Sequence, residues 1–146
     1  MPMNFRRILI AVDGSPIAAH AADVGIELAR SLGGEVALIH VVDPAQNWAP
    51  ESGVPAAELI KLAEQDGKRL LADIHPRATL QAPPLEFVQV GKPTSEIMKA
   101  AKDWPADIIV IGSHGRGGIS RVLLGSVAEG VMRHASCPVL VVRAQT

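Results

Sequence analysis

The stretch "DIIVIGSHGRGGISRVLLGSVAEG", residues 107–130, decides how the rest of the chain is read. It opens on a short run of Ile and Val, passes through a glycine-rich segment and closes on a polar helix start. Near-continuous apolarity, without strict alternation, is the pattern of a strand covered on both faces. Gly112 ends that strand, so the glycine segment leaves a sheet at its carboxyl end. Gly112, Gly115, Gly117 and Gly118 lack a Cβ and permit positive φ, and successive N–H groups in such a segment can turn inward as an anion nest. Ser126 followed by Glu129 has the spacing of a capping box, which predicts a helix beginning at Ser126. A helix start offers unpaired N–H groups and partial positive charge. Two readings stand at this point: a phosphate cradle, or ordinary turn glycines ahead of a capped helix.

Working outward, the same strand character recurs at "RILIAVD" (7–13), "EVALIHVVD" (35–43), "LEFVQV" (85–90) and "PVLVVR" (138–143). Helical stripes lie between them. Ile17, Ala21, Val24, Leu28 and Leu32 follow Ser15-Pro16 and end at Gly33-Gly34, with Pro suited to the first helical position and Gly to the exit. Leu59, Leu62, Leu70 and Ile74 follow Pro55 and end before Pro76. Ile97 and Ala101 follow Pro93, and Val127, Val131 and Met132 follow Ser126. Five strands alternating with four helices predict a parallel α/β sheet with helices on both faces. The segment "DPAQNWAPESGVP" (43–55) is predicted to be a long, irregular, mobile loop at a strand's carboxyl end, where doubly wound sheets bind ligands.

The whole chain bounds the function. Its 146 residues suit one domain. With 48% apolar and 20% charged residues it has the composition of a compact soluble protein. A formal net charge of −1, two Phe, two Trp and no Tyr remove the basic, aromatic-studded surface that nucleic acid needs. The one cysteine, Cys137, leaves no internal disulfide and suits a reducing compartment. No apolar run approaches a membrane span, and the N-terminal stretch lacks a signal-peptide pattern, so the expected location is cytoplasmic.

Two familiar phosphate loops fail on the residues. A P-loop places Gly five positions before Gly-Lys, where "GKP" (91–93) has Glu86. A dinucleotide fingerprint follows the first strand, where this chain has "AVDGSP". No G-x-S-x-G elbow occurs, and no Ser, His and acid are linked into a triad. His20, His75 and His134 show no metal-ligand spacing.

The full spacing is Gly112, two residues, Gly115, nine residues, Gly125, then Ser126. It resembles the G-2x-G-9x-G-(S/T) signature of ATP-binding universal stress proteins. The resemblance extends to "ILIAVDGSP", "ALIHVVDP", "VQVGKP" and "HASCPVLVVR" in the order that family shows, and so covers nearly the whole chain. It implies an open five-stranded parallel sheet of order 3-2-1-4-5 and a Rossmann-like adenine-nucleotide site in one domain, 1–146. It also implies that Asp13 holds the ribose, that Val41 contacts adenine through its backbone, and that Gly112, Gly115, Gly125 and Ser126 surround the phosphates. Ala11, Val12, Ser113, His114, Arg116 and Val127 complete the candidate site. The implied ligand is ATP, with AMP, cyclic AMP or another adenine nucleotide as alternatives and Mg carried on the phosphates.

From the residues alone, Asp13 equally suits a cap of the first helix, Ser15 suits that helix's N-cap, and His114 and Arg116 suit either phosphate contact or solvated loop positions. His40 is read as a hydrogen-bonded core or near-site residue and Cys137 as a buried structural thiol. Gly117 and Gly118 are assigned to loop mobility and Gly130 to close packing of the last helix. The implied role is a nucleotide-dependent regulatory protein of the stress response, a homodimer through strand 138–143 with an unknown protein partner. The alternatives are a slow ATPase or self-phosphorylating enzyme, and an interaction protein without nucleotide.

Overall fold

The computed structural model describes residues 4–75, 79–114 and 124–144. Five strands, β1 (Arg7–Ala11), β2 (Glu35–Val42), β3 (Leu85–Val90), β4 (Ile108–Gly112) and β5 (Val139–Val142), form one sheet. The order is β3-β2-β1-β4-β5 and every pairing is parallel. This is the Rossmann-like arrangement expected from the sequence. Four α-helices connect the strands: α1 (Pro16–Leu32), α2 (Ala56–Ile74), α3 (Pro93–Asp103) and α4 (Ser126–His134).

The central strands β1, β2 and β4 are apolar because both their faces are covered. On one face Ile8, Ile10, Val36, Leu38 and Val110 pack beneath α1 and α2, against Ala18, Ala22, Ile26 and Leu71. On the other, Leu9, Ala37, Ile39, Ile109 and Ile111 pack beneath α3 and α4, against Ile97, Ala101, Ala128 and Val131. The alternation of strand residues between these clusters is the period-two geometry of a strand. Burying each such side chain contributes about 1.5–3 kcal/mol.

Local signals set the helix ends. Ser15 accepts a hydrogen bond at Oγ from the Ala18 N–H, 3.1 Å, and caps α1 ahead of Pro16. Gly33, at φ +65°, ends α1 in the left-handed conformation that favours glycine. Inside α1, a Cβ on Gly25 would lie 2.6 Å from Cδ1 of Ile10, so the absent side chain lets the helix sit close on β1. Gly130 likewise faces Thr94, whose Oγ1 would be 2.8 Å from an added Cβ, which bears out its reading as a packing glycine between α4 and α3.

Three expectations change. The segment after β2 is not irregular: Asp43 organises a turn, accepting the Ala45 N–H at Oδ1 (2.9 Å) and the Gln46 and Asn47 N–H groups at its carbonyl, and a 3₁₀ turn follows at Pro50–Ser52. An aspartate accepting from its own downstream amides is a turn former in its own right. The capping box is not formed, because Gly125 occupies the N-cap and Ser126 is the first helical residue. Cys137 is half-buried rather than buried, packed against the α3/α4 cluster, and burial pushes its thiol up. Gly117 and Gly118 lie outside the described residues.

Candidate functional site

The site begins at the middle of the sheet. β1 pairs with β2 on one side and β4 on the other, Ile8↔Val36 and Ile8↔Ile108, so the chain direction of the crossovers reverses between β1 and β4. Their carboxyl ends therefore diverge into a crevice. A cleft of about 630 Å³ opens there, within the range of small-ligand pockets.

From β1, Ala11, Val12 and Asp13 line the cleft. Asp13 Oδ1 accepts hydrogen bonds from the Ser15 N–H (3.0 Å) and the Ser15 hydroxyl (2.6 Å). The carboxylate thus backs Ser15, which is the residue that caps α1, so Asp13 is not itself the cap and lines the cleft. From β2 come Val41 and His40. His40 Nδ1 lies 2.9 Å from the Val12 carbonyl. A carbonyl only accepts, so Nδ1 is the donor in this bond. Gly67 of α2 covers that ring so closely that a Cβ would be 2.6 Å from Cδ2.

From β4 and α4 come Gly112, His114, Gly125, Ser126 and Val127. The Gly125 N–H donates to the Ser113 carbonyl at 2.6 Å, and the Ser113 N–H to the Val142 carbonyl at 2.8 Å. These two bonds pin the start of α4 against the exit of β4. No side chain among the described residues caps α4, and Gly125, Ser126, Val127 and Ala128 at its start, the positive end of the helix dipole, line the cleft. Among the described lining residues there is no Lys or Arg. Among the described residues, what this end offers an anion is the start of α4 and the side chains of Ser126 and His114.

The structure redistributes three candidates. Ser113 does not line the cleft: it is buried, and its Oγ lies 3.1 Å from His114 Nδ1. His114 Nε2 is buried with no hydrogen-bond partner among the described residues. A Ser–His pair is therefore present, and no described residue orients its second nitrogen as the acid of a triad would. Gly112 has a packing role that its spacing did not reveal. A Cβ there would meet Ile17 Cγ2 at 2.6 Å, beside the backbone of Ile17 and Ala18. Gly115 and Arg116 lie outside the described residues.

Asp43, Gln46 and Asn47 of the turn after β2 line the cleft, as expected of the segment 43–55 at the carboxyl end of a strand. Sequence reasoning missed the third wall, Asp66, Gly67 and Leu70 of α2. The α2 residues were not legible, because their stripe reads equally well as a plain core face.

Residues 4–143 match the profile of the universal stress protein family. The chain belongs to that family. Curated relatives include a universal stress protein, MJ0531, of Methanocaldococcus jannaschii, 38% identical over 95% of this chain and 82% of its own. Another is universal stress protein YxiE of Bacillus subtilis, 30% identical over 95% and 99%. Among solved structures, the hypothetical protein MJ0577 superposes with a TM-score of 0.86 at 30% identity, covering 98% of this chain and 99% of that one. The universal stress protein of Archaeoglobus fulgidus, solved in complex with dAMP, gives a TM-score of 0.65 at 26% identity, covering 96% and 99%.

Gly112→Ala is expected to lower the stability of this universal stress protein by about 1–3 kcal/mol through overpacking against α1. Denaturant unfolding without any ligand present measures it, and an unchanged midpoint would remove the packing role.

Proposed function

We propose that this universal stress protein binds an adenine nucleotide, ATP foremost, in the cleft between β1 and β4 and acts as a nucleotide-dependent regulatory protein. One observation carries the reading. The cleft is lined both by the carboxylates of Asp13, Asp43 and Asp66 and by the start of α4, which no described side chain caps. A carboxylate accepts hydrogen bonds from ribose hydroxyls and repels phosphate, whereas helix N–H groups favour phosphate. That polarity matches a nucleoside joined to a phosphate chain. In this reading the sugar lies at Asp13, the base beside Val12 and Val41, and the phosphates at Gly112, Gly125, Ser126 and Val127, with His114, Gly115 and Arg116 alongside. The dAMP complex of the Archaeoglobus relative supports it by likeness.

Magnesium enters this reading on the phosphates. Among the described residues no cluster of three His, Cys, Asp or Glu could hold a metal, and Mg²⁺ commonly keeps several waters and takes phosphate oxygens. Regulation follows if the nucleotide orders the turn after β2 and the segment after β4, which requires different affinities for two states of the surface. The reading places the protein in the cytoplasm; no helix among the described residues is long and apolar enough to cross a membrane. β5 lies at a sheet edge with the sequence Val-Leu-Val-Val, and an apolar edge is suited to pairing with a second copy.

Three measurements test this. Denaturing freshly purified protein should release an adenine nucleotide identifiable by mass spectrometry; no release, together with no binding at millimolar ATP, would overturn the reading. Ser126→Asp places a carboxylate at the first turn of α4. It should stabilise the fold by a few tenths of a kcal/mol while weakening ATP roughly tenfold and leaving adenosine nearly unchanged. Equal weakening of ATP and adenosine would place the phosphates elsewhere. Light scattering at micromolar concentration should give a dimer mass, and a monomer would count against pairing through β5.

A further inference from the structure

The second concavity of the molecule lies away from the nucleotide cleft, at the opposite edge of the sheet from β5. β3 is the other edge strand, paired only to β2 through six unbroken positions from Ala37↔Leu85 to Val42↔Val90. Its outer row of N–H and C=O groups has no strand partner among the described residues. Natural edges are commonly protected by Lys, Pro or a bulge. β3 has none of these within its six residues, Leu-Glu-Phe-Val-Gln-Val, and its ladder with β2 is regular.

The face of this edge strand is also incompletely covered. α3 packs its Ile97 and Ala101 toward the centre of the sheet with β1, β2 and β4. Between α3 and the rim of the sheet runs a groove of about 360 Å³. Leu85, Phe87 and Gln89, alternate residues of β3, form one side, and Ala100 and Trp104 form the other. Leu85 keeps 46% of its surface exposed. The two features are in line: an open backbone edge, and beside it a trough lined at every second position of that same strand. An extended chain that adds to the edge puts every second side chain over the trough.

The charges select among possible occupants. Glu96, Lys99 and Asp103 rim the groove, and Lys99 is held by Asp103 at 3.0 Å. The charges of that pair offset each other, which leaves Glu96 as the one unbalanced charge among the described residues of the groove. A second copy pairing through its own β3 would bring two acidic rims together, and like charges across a pairing edge are unfavourable. An extended segment with apolar residues and a Lys or Arg on the groove side meets both the apolar floor and the acids. Its cation can also lie against the Trp104 ring.

We propose that the β3 edge and its groove form a docking site for an extended peptide with alternating groove-side residues, apolar and basic, added to the sheet as a sixth strand. The site is independent of the nucleotide reading, although α3 borders both: Pro93 and Ile97 line the cleft, and Ala100 and Trp104 the groove.

The test uses the full chain carrying Trp48→Phe, which leaves Trp104 as the sole indole reporter because the chain has two Trp. The probe is the end-blocked peptide Leu-Thr-Leu-Thr-Lys-Thr, titrated while Trp104 fluorescence and the amide resonances of residues 85–90 are followed. A saturable change is expected at both. Replacing the probe lysine by glutamate should weaken binding about fivefold or more, and methylating alternate probe amides should abolish it. Ala100→Arg, which fills the groove and cancels its negative charge, should abolish the response; Glu96→Gln, which preserves shape, should weaken it. No saturable change at millimolar probe would overturn the proposal. So would equal binding of the glutamate probe, or an unchanged response in both variants. Shifts of residues 85–90 that depend on protein concentration without peptide would assign the edge to a second copy and overturn it likewise.

Discussion

The pairing of β1 with β4 is the constraint on which the rest of this structure depends. The two strands are about a hundred residues apart in sequence, and their contact costs loop-closure entropy that local structure does not return. Apolar burial offsets it: Ile8, Leu9, Ile10, Ile109 and Val110 are inaccessible to solvent. Asp107 adds a polar clamp at the foot of the pair. Its Oδ2 accepts from the Arg6 and Arg7 N–H groups at 2.8 and 2.9 Å, and its own N–H donates to the Arg7 carbonyl. The clamp fixes the register of two parallel strands whose side chains, nearly all aliphatic, specify register weakly. Once β1 and β4 are neighbours, Asp13 and Gly112 leave the sheet side by side, and the crevice above them follows from the topology.

The same pairing explains why glycines stand where β4 and α4 meet the cleft, Gly112 and Gly125. α1 must approach β4 closely, and Gly112 permits it by lacking a Cβ against Ile17. α4 must start at the exit of β4, and the hydrogen bond from Gly125 to the Ser113 carbonyl holds it there. What lines the cleft from that side, among the described residues, is Gly112, His114 and the start of α4, Gly125 to Ala128. Backbone dipoles at a helix start are already ordered by the fold, so they present partial positive charge with no loss of side-chain rotamer freedom.

Two sheet edges remain, and the fold treats them differently. β5 ends beside α4 and carries only aliphatic side chains. β3 is longer, regular and flanked by a trough because α3 is drawn toward the centre of the sheet by Ile97 and Ala101. α3 therefore forms a wall of the cleft with its first turns and of the edge groove with its last.

The amino-acid sequence by itself determined the five strands, the four helices and most of their ends, because these rest on local physics: aliphatic runs, Ser15-Pro16 ahead of α1, Gly33 after it. It also placed Asp13, Val41, Gly112, Gly125 and Ser126 in one site, through a spacing that a family shares. The tertiary structure alone decided which atoms serve what. Ser126 became the first helical residue and Gly125 the cap, because the Ser113 carbonyl holds the Gly125 N–H. Ser113 turned away to His114, and Gly112 answered to α1 as well as to the cleft. Asp66, Gly67 and Leu70 entered the cleft only because α2 packs over β2, with Gly67 against His40. Such contacts join residues distant in the chain, and no spacing along it records how closely two backbones meet.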